Sequence, residues 1–443
     1  MKKISLFQII FLGVFVVFIV VGVASFAMYK GSSSGPSLPS ITIWGTYPAN
    51  TFTSYVSQIN NTLAQSLSIK YVEKSPAEFS QAFVSALAQG SGPDAILITA
   101  DMLLPQENKL AVIPSATLLP GDYMRTYIGE SSIYQVSNGT IGLPFEVDPL
   151  VMYWNKDSFN AAGIAQPPHY WDEFANINPK LMIKDSQGNI RKASVALGDF
   201  ANVNNAREIL GTLIMQLGNP ITALSADGVP ATTLKVYGQQ DPTQAIQFFS
   251  QFSNPSDPNY AWNRSLTNSK TLFLSGNLAT YFGFASEIAD IRDKNPNLNF
   301  DVAMLPQIRP PVVADPKSSF KITRATYGRM YAFSITRAAT NPSGVYQVLS
   351  YLNDPTSMTA LSTSRYLPSV LLSVINNGTT DPYLQIFNNA ALNSKAWLDV
   401  DTETSNQIFG NMIQSITSGQ QSITNALSNM SGQYDVALKQ AIK

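Results

Sequence analysis

The sequence predicts an α/β protein, an open sheet with helices on both faces, spread over about two domains. Three observations predict it. Short apolar strands alternate with amphipathic helices from Ile41 onward, the pattern of a layered α/β architecture. The chain has 443 residues, and the roughly 400 that follow its N-terminal segment exceed one ordinary core. Cysteine is absent, so no disulfide framework can stand in for a large core.

The N-terminus comes first. Lys2 and Lys3 precede an almost unbroken apolar run, Ile4–Met28. A bilayer-crossing helix needs about 20 such residues, whereas the apolar region of a secretory signal is shorter, about 7–15. Ser25-Phe26-Ala27 also fits a small-x-small cleavage site. Residues 1–30 are therefore expected to be a membrane anchor, a transmembrane helix, or a signal. The two lysines predict that this end stays in the cytoplasm and the body lies outside it, at the cell surface or in the periplasm. No cysteine is available for lipidation, which makes an uncleaved helix the simplest anchor. Residues 31–40, rich in Gly and Ser, are expected to form a flexible linker.

The body then opens with a strand, Ile41–Trp44. Phe52–Ser66 follows as a helix, with Phe52, Val56, Ile59 and Leu63 at spacings of three and four. Leu67–Val72 alternates as a strand. Pro76–Gln89 is a helix with Gly90 past its end. Pro93–Ile98 is a buried strand. Further on, Ala206–Leu217 and Thr243–Phe252 have helical periodicity. Charged residues are 13% of the chain, below the ~25% usual in globular domains, and the net charge is −1. Neither nucleic acid nor an anionic membrane surface is expected as a partner. No P-loop, dinucleotide fingerprint or zinc spacing occurs. The single histidine, His169, is expected on an exposed turn.

The segment Gly142–Phe174 holds the densest signal. Two carboxylates, Glu146 and Asp148, stand at alternate positions of a strand. The apolar run Leu150–Trp154 leads to Asn155-Lys156-Asp157. A short helix ends at Gly163, and Pro167-Pro168 precedes a helix start at Trp171-Asp172-Glu173-Phe174. This order resembles the maltose-binding-protein-like family of extracellular solute-binding proteins, the receptor subunits of ABC importers. Leu272–Phe284, Phe300–Pro306, Thr326–Ile335, Val345–Leu352, Tyr366–Ser369 and Ile413–Ala426 resemble further elements of that family, in the same order. The resemblance covers nearly everything from Ile41 to Lys443.

It implies a type II periplasmic-binding-protein-like fold in residues 41–443, two lobes that are each an open α/β sheet. Lobe 1 would comprise about 41–145 and 307–366, and lobe 2 about 147–305 and 368–443. Three hinge crossovers, at Val147–Asp148, Leu305–Gln307 and Leu367–Ser369, would let the lobes close on a solute. The resemblance further implies a monomer without a cofactor that delivers a small solute, a sugar or oligosaccharide, to ABC permease subunits in the membrane.

Candidate site residues come from two sources. Open sheets bind ligands outside the carboxyl ends of their strands, which points to Thr46 and Tyr47 after the first strand and Asp101 after the third. Sugars present apolar faces to aromatic rings and hydroxyls to polar groups. Near the expected cleft the rings are Trp262, Phe282, Phe284, Tyr327 and Trp397, and the charged groups are Glu146, Asp148 and Arg329. By the resemblance, Asp101 and Asp148 fall where the family has ligand-binding acids. The chain departs from that pattern at Met102 and Ile98, where an Arg and a Trp are expected, and at Ala285, with its ring one position earlier at Phe284. Maltodextrin itself is therefore disfavoured. Most large rings in any protein are core, and Glu146 and Asp148 equally suit an ion pair between lobes. Two alternatives stay open: a solute sensor without transport, and a glycosidase-like enzyme, whose carboxyl pair needs about 5–9.5 Å of separation. No catalytic residue and no metal ligand emerges.

Overall fold

The computed structural model describes residues 38–62, 66–225, 227–235, 240–310 and 323–442. The expected N-terminal helix and most of the linker lie outside them. Among the described residues no helix is long and apolar enough to cross a membrane.

The strands Ile41–Gly45, Ile69–Glu73 and Ala95–Thr99 pair in parallel, with Ile41–Gly45 in the middle. Thr326–Ile335 adds antiparallel to Ala95–Thr99. On its other edge runs the long strand Leu143–Asn155, again antiparallel. Past Pro149 this strand changes partners. Leu150–Trp154 pair with Leu278–Phe284, and Met152–Asn155 pair with Phe300–Ala303. Leu278–Phe284 in turn pairs in parallel with Ile190–Val195. A ten-stranded sheet results, and one strand serves both of its halves.

The change of partners has a local cause. Proline cannot donate to a ladder, and Pro149, opposite Gly328, is the last residue of the first pairing. The carbonyls there find other donors: Ala285 N reaches Pro149 O at 2.9 Å, and Thr326 Oγ1 reaches Leu150 O at 2.7 Å. All thirteen residues of the long strand are buried, which explains the unbroken apolar run Leu150–Trp154 where alternation would mark a half-exposed strand. Gly328 must be glycine. A Cβ at that position would lie 2.0 Å from Glu130 Oε2 and 2.8 Å from Ser394 Cβ.

Helices cover the sheet as their periodicity predicts. Ala49–Thr62 buries Phe52, Tyr55, Val56 and Ile59. Pro76–Ala88 starts with proline in its first turn and buries Phe79, Phe83 and Ala86; Gly90 beyond it has φ 68°. Ala206–Gln216 and Thr243–Gln251 pack together. Two terminal helices, Thr402–Thr417 and Ile423–Ala441, pack against each other around a turn where Gly419 has φ 72°. His169 is exposed. Near the third expected crossover, Leu371 bridges Tyr127, and the helix Leu372–Asn376 packs on Pro120–Thr126. The next helix, Pro382–Leu392, packs on the long strand instead.

Candidate functional site

A groove of about 880 Å³ separates two stretches of chain that are remote in sequence. One wall is Pro76, Ala77, Ser80, Met102 and Pro105; the other is Val400–Thr404, Asn406 and residues of the last helix. The walls meet through the neighbour of Met102. Asp101 stands in the short turn Ala100–Met102, just past the strand Ala95–Thr99. Thr402 Oγ1 donates to its Oδ2 at 2.6 Å. The other oxygen, Oδ1, is buried and has no hydrogen-bond partner.

Behind this contact lies a network of buried charge. Arg207, 2% exposed, reaches Asp399 Oδ2 at 2.9 Å, Glu208 Oε1 at 2.7 Å and Asp101 Oδ2 at 3.6 Å. Its guanidinium lies 5.7 Å from the centre of the Trp397 ring. Trp397 Nε1 donates to Tyr434 Oη at 2.9 Å, and Tyr434 Oη donates to Asp399 at 2.5 Å. Burial pushes the Asp399 carboxyl up, and Arg207 offsets part of this, leaving it at about 6. Burial also acts to raise Asp101, but Arg207 and the Thr402 hydroxyl outweigh it and hold that carboxyl below its ordinary value.

The paired strands Leu143–Asn155 and Thr326–Ile335 supply the rest. Their register sets Arg329 opposite Asp148 and Tyr331 opposite Glu146. Glu146 accepts from Tyr47 Oη at 2.7 Å and from Arg365 Nε at 3.1 Å. Asp148 accepts from Ser286 N at 2.9 Å and Ser286 Oγ at 2.6 Å. Burial raises the pKa of both. Each carboxylate has its own partners, and neither lines the groove. Arg329 lies 3.8 Å over the Phe284 ring. Tyr327 touches Phe284 and Trp397, at centroid distances of 6.2 and 5.3 Å.

The structure therefore gathers Asp101, Tyr327 and Trp397 around Arg207, with Phe284, Arg329 and Asp148 beside them. Thr46 is half-buried at the end of its strand, its N–H bonded to Leu97 O at 3.1 Å. Two rings lie elsewhere. Trp262 is fully buried in the core with Nε1 donating to Asn202 at 2.8 Å. Phe282 packs on Trp171 at 5.3 Å and Phe174 at 6.3 Å in the same core.

A family model described as bacterial extracellular solute-binding protein matches residues 57–385. The chain belongs to this family. It is an extracellular solute-binding protein. Solved structures share the fold over nearly their whole length. The cyclic α-maltosyl-1,6-maltose binding protein from Arthrobacter globiformis has TM-score 0.70 and 17% identity, covering 92% of this chain and 100% of that one. CpMnBP1 with mannotriose bound has TM-score 0.61 and 20% identity, covering 89% and 99%. UgpB from Mycobacterium tuberculosis in complex with glycerophosphocholine has TM-score 0.67 and 16% identity, covering 91% and 99%. No curated protein matches the chain.

Sequence reasoning missed Arg207, Thr402 and Arg365 of this solute-binding protein. A cationic residue on an otherwise apolar helix face was the available signal for Arg207. It also missed Glu130, which is 4% exposed, has no partner on either oxygen and abuts Gly328 of the strand Thr326–Ile335. Burial pushes its carboxyl up from 4.5 to about 8. In the unfolded chain Glu130 ionises above its ordinary value, while in the folded chain it stays protonated until about pH 8. Its contribution therefore lowers stability as pH rises between those limits, by about 1.4 kcal/mol per pH unit. Glu130→Gln removes this slope. Urea unfolding at pH 5 and pH 8 should show the variant gaining over the wild type at pH 8 by a few kcal/mol. Equal pH dependence in the two proteins would refute the assignment.

Proposed function

We infer that this protein is the receptor of an ABC importer and captures a neutral sugar or oligosaccharide by closure of two lobes. The observation that carries the reading is Asp101. It is a buried carboxylate at the end of a strand, joined across the groove to Thr402, with Oδ1 left as an unfilled acceptor. A buried acceptor of this kind is expensive to leave unpaired, and a solute hydroxyl supplies the missing donor. Around it carboxylates outnumber guanidiniums: Asp101, Glu208 and Asp399 against Arg207 and Arg329. A phosphorylated or carboxylated solute would add charge of the wrong sign.

In this reading the lobes divide at Pro149–Leu150, where the long strand changes partners. They divide again near Pro306, and on the way to the helix Pro382–Leu392, later than Leu367–Ser369. Asp101 belongs to one lobe, Arg207, Asp399 and Thr402 to the other. Closure is then a rotation about the paired hinge strands, and the solute favours the closed form by binding both lobes at once. The rings Phe284, Tyr327 and Trp397 support the site from behind. The partners are permease subunits, and the receptor works as a monomer. A sensing receptor without transport would use the same closure.

Thermal unfolding with a panel of solutes tests the solute class. Mannotriose at about 100 times its dissociation constant should add about 2.7 kcal/mol. Glucose 6-phosphate and glucuronate should add nothing. Stabilisation by the anions, or by glycerophosphocholine alone, would overturn the reading.

We also infer that residues 1–30 remain attached and anchor the receptor, because Ile4–Met28 is long and apolar and no cysteine can be lipidated. The intact mass of the membrane-extracted protein should include this segment. A mature N-terminus near Met28 would reject the anchor.

A further inference from the structure

Arg207 lies in the first turn of Ala206–Gln216, a helix in which every residue except Glu208 is buried. A guanidinium there is costly unless carboxylates and hydrogen bonds hold it. Asp399 and Glu208 do so, with hydrogen bonds of 2.9 Å from Nη1 and 2.7 Å from Nη2. These two carboxylates satisfy the structural need. The 3.6 Å approach of Nη2 to Asp101 Oδ2 is a third, longer contact beyond it. The residue before Arg207 is also unusual. Asn205 has φ 57°, a left-handed conformation that costs a non-glycine residue free energy. Its amide holds the turn by donating to Phe282 O at 3.1 Å. The turn fixes the start of the helix, and with it the position of Arg207.

We propose that Arg207 is a positioning residue of the solute site, fixing Asp101 by its Oδ2 edge so that Oδ1 is presented as the acceptor for a solute hydroxyl. This rests on the oligosaccharide reading above. Arg207 and Thr402 both meet Oδ2, the Thr99 side chain also lies against the carboxylate, and Oδ1 is the oxygen without a hydrogen bond of full geometry. The other groups that face Asp101 are Arg329, Tyr327 and Tyr331 of the hinge strand, Tyr134, and Asp399. Burial keeps the tyrosines neutral. Asp399 opposes ionisation of Asp101, Arg329 favours it, and Arg207 favours it most. Capture that depends on an ionised Asp101 therefore survives into mildly acidic medium only while Arg207 is present.

The test has a readout that needs no solute. In full-length protein, the ¹³C carboxyl resonance of Asp101, assigned by its loss in Asp101→Asn, is followed against pH. Arg207→Met should raise its midpoint by about one unit or more, and Thr402→Val by less. An Asp101 that titrates in Arg207→Met as in the wild type overturns the proposal. Should Arg207→Met not fold, Thr402→Val decides, since Thr402 is exposed and Arg207 then acts alone on Oδ2. Asp101 must remain ionised at pH 5 in that variant, and its protonation there overturns the proposal. In binding, mannotriose affinity of the wild type should be the same at pH 7 and pH 5. In Arg207→Met it should fall over that range, by the amount that the raised midpoint of the Asp101 resonance dictates. If Asp101 shifts as expected while no sugar of the panel binds, the oligosaccharide reading falls and the control of Asp101 by Arg207 stands.

Discussion

The antiparallel pairing of Leu143–Asn155 with Thr326–Ile335 is the constraint on which the rest of this structure depends. One strand belongs to both halves of the sheet, so each half inherits its orientation from the other. The ladder cannot continue past Pro149, which has no N–H to give. The chain uses that break to exchange one partner strand for another, with Thr326 and Ala285 taking up the carbonyls at the change. Because the strand is buried on both faces, its register is strongly fixed: a slip of one residue would turn Glu146 and Asp148 away from the groups they meet.

That register also builds the electrostatics. It sets Arg329 across from Asp148 and Tyr331 across from Glu146, and Gly328 leaves room for a buried, partnerless Glu130. The charges are individually expensive to bury and are tolerated because most are paired. Glu130 and Asp101 are the exceptions, and only Asp101 stands beside the groove. Its pairing is complete on one oxygen and missing on the other, at the place where two remote parts of the chain touch.

Much of the fold was legible in the sequence. The helices around Phe52, Phe79 and Leu210 follow from apolar spacing and from glycine and proline punctuation, which are local signals, whereas the strand Thr326–Ile335 and the terminal helices came through the family resemblance. The site was less legible because its bonds are long-range. Asp101 and Thr402 are 301 positions apart, and Arg207 and Asp399 are 192 apart, so no window of sequence contains either pair. The same blindness affects the rings. Trp262 and Trp397 are equally large and apolar in sequence, yet one packs in the core with its N–H on Asn202 and the other backs Arg207. Strand alternation likewise gave Glu146 and Asp148 a common face but not their separate partners, Arg365 and Ser286.

The central claim is that the groove between Met102 and Thr402 is where solute binds and where the lobes close. The absence of native cysteine permits a direct measurement. Ala77 and Glu403 are exposed residues on opposite walls. A pair of spin labels at Ala77→Cys and Glu403→Cys reports the width of the groove by pulsed electron resonance. With the oligosaccharide that stabilises the protein, the distance distribution should narrow and move to shorter values. An unchanged distribution under saturating solute would show that the groove does not close on it, and would contradict the account.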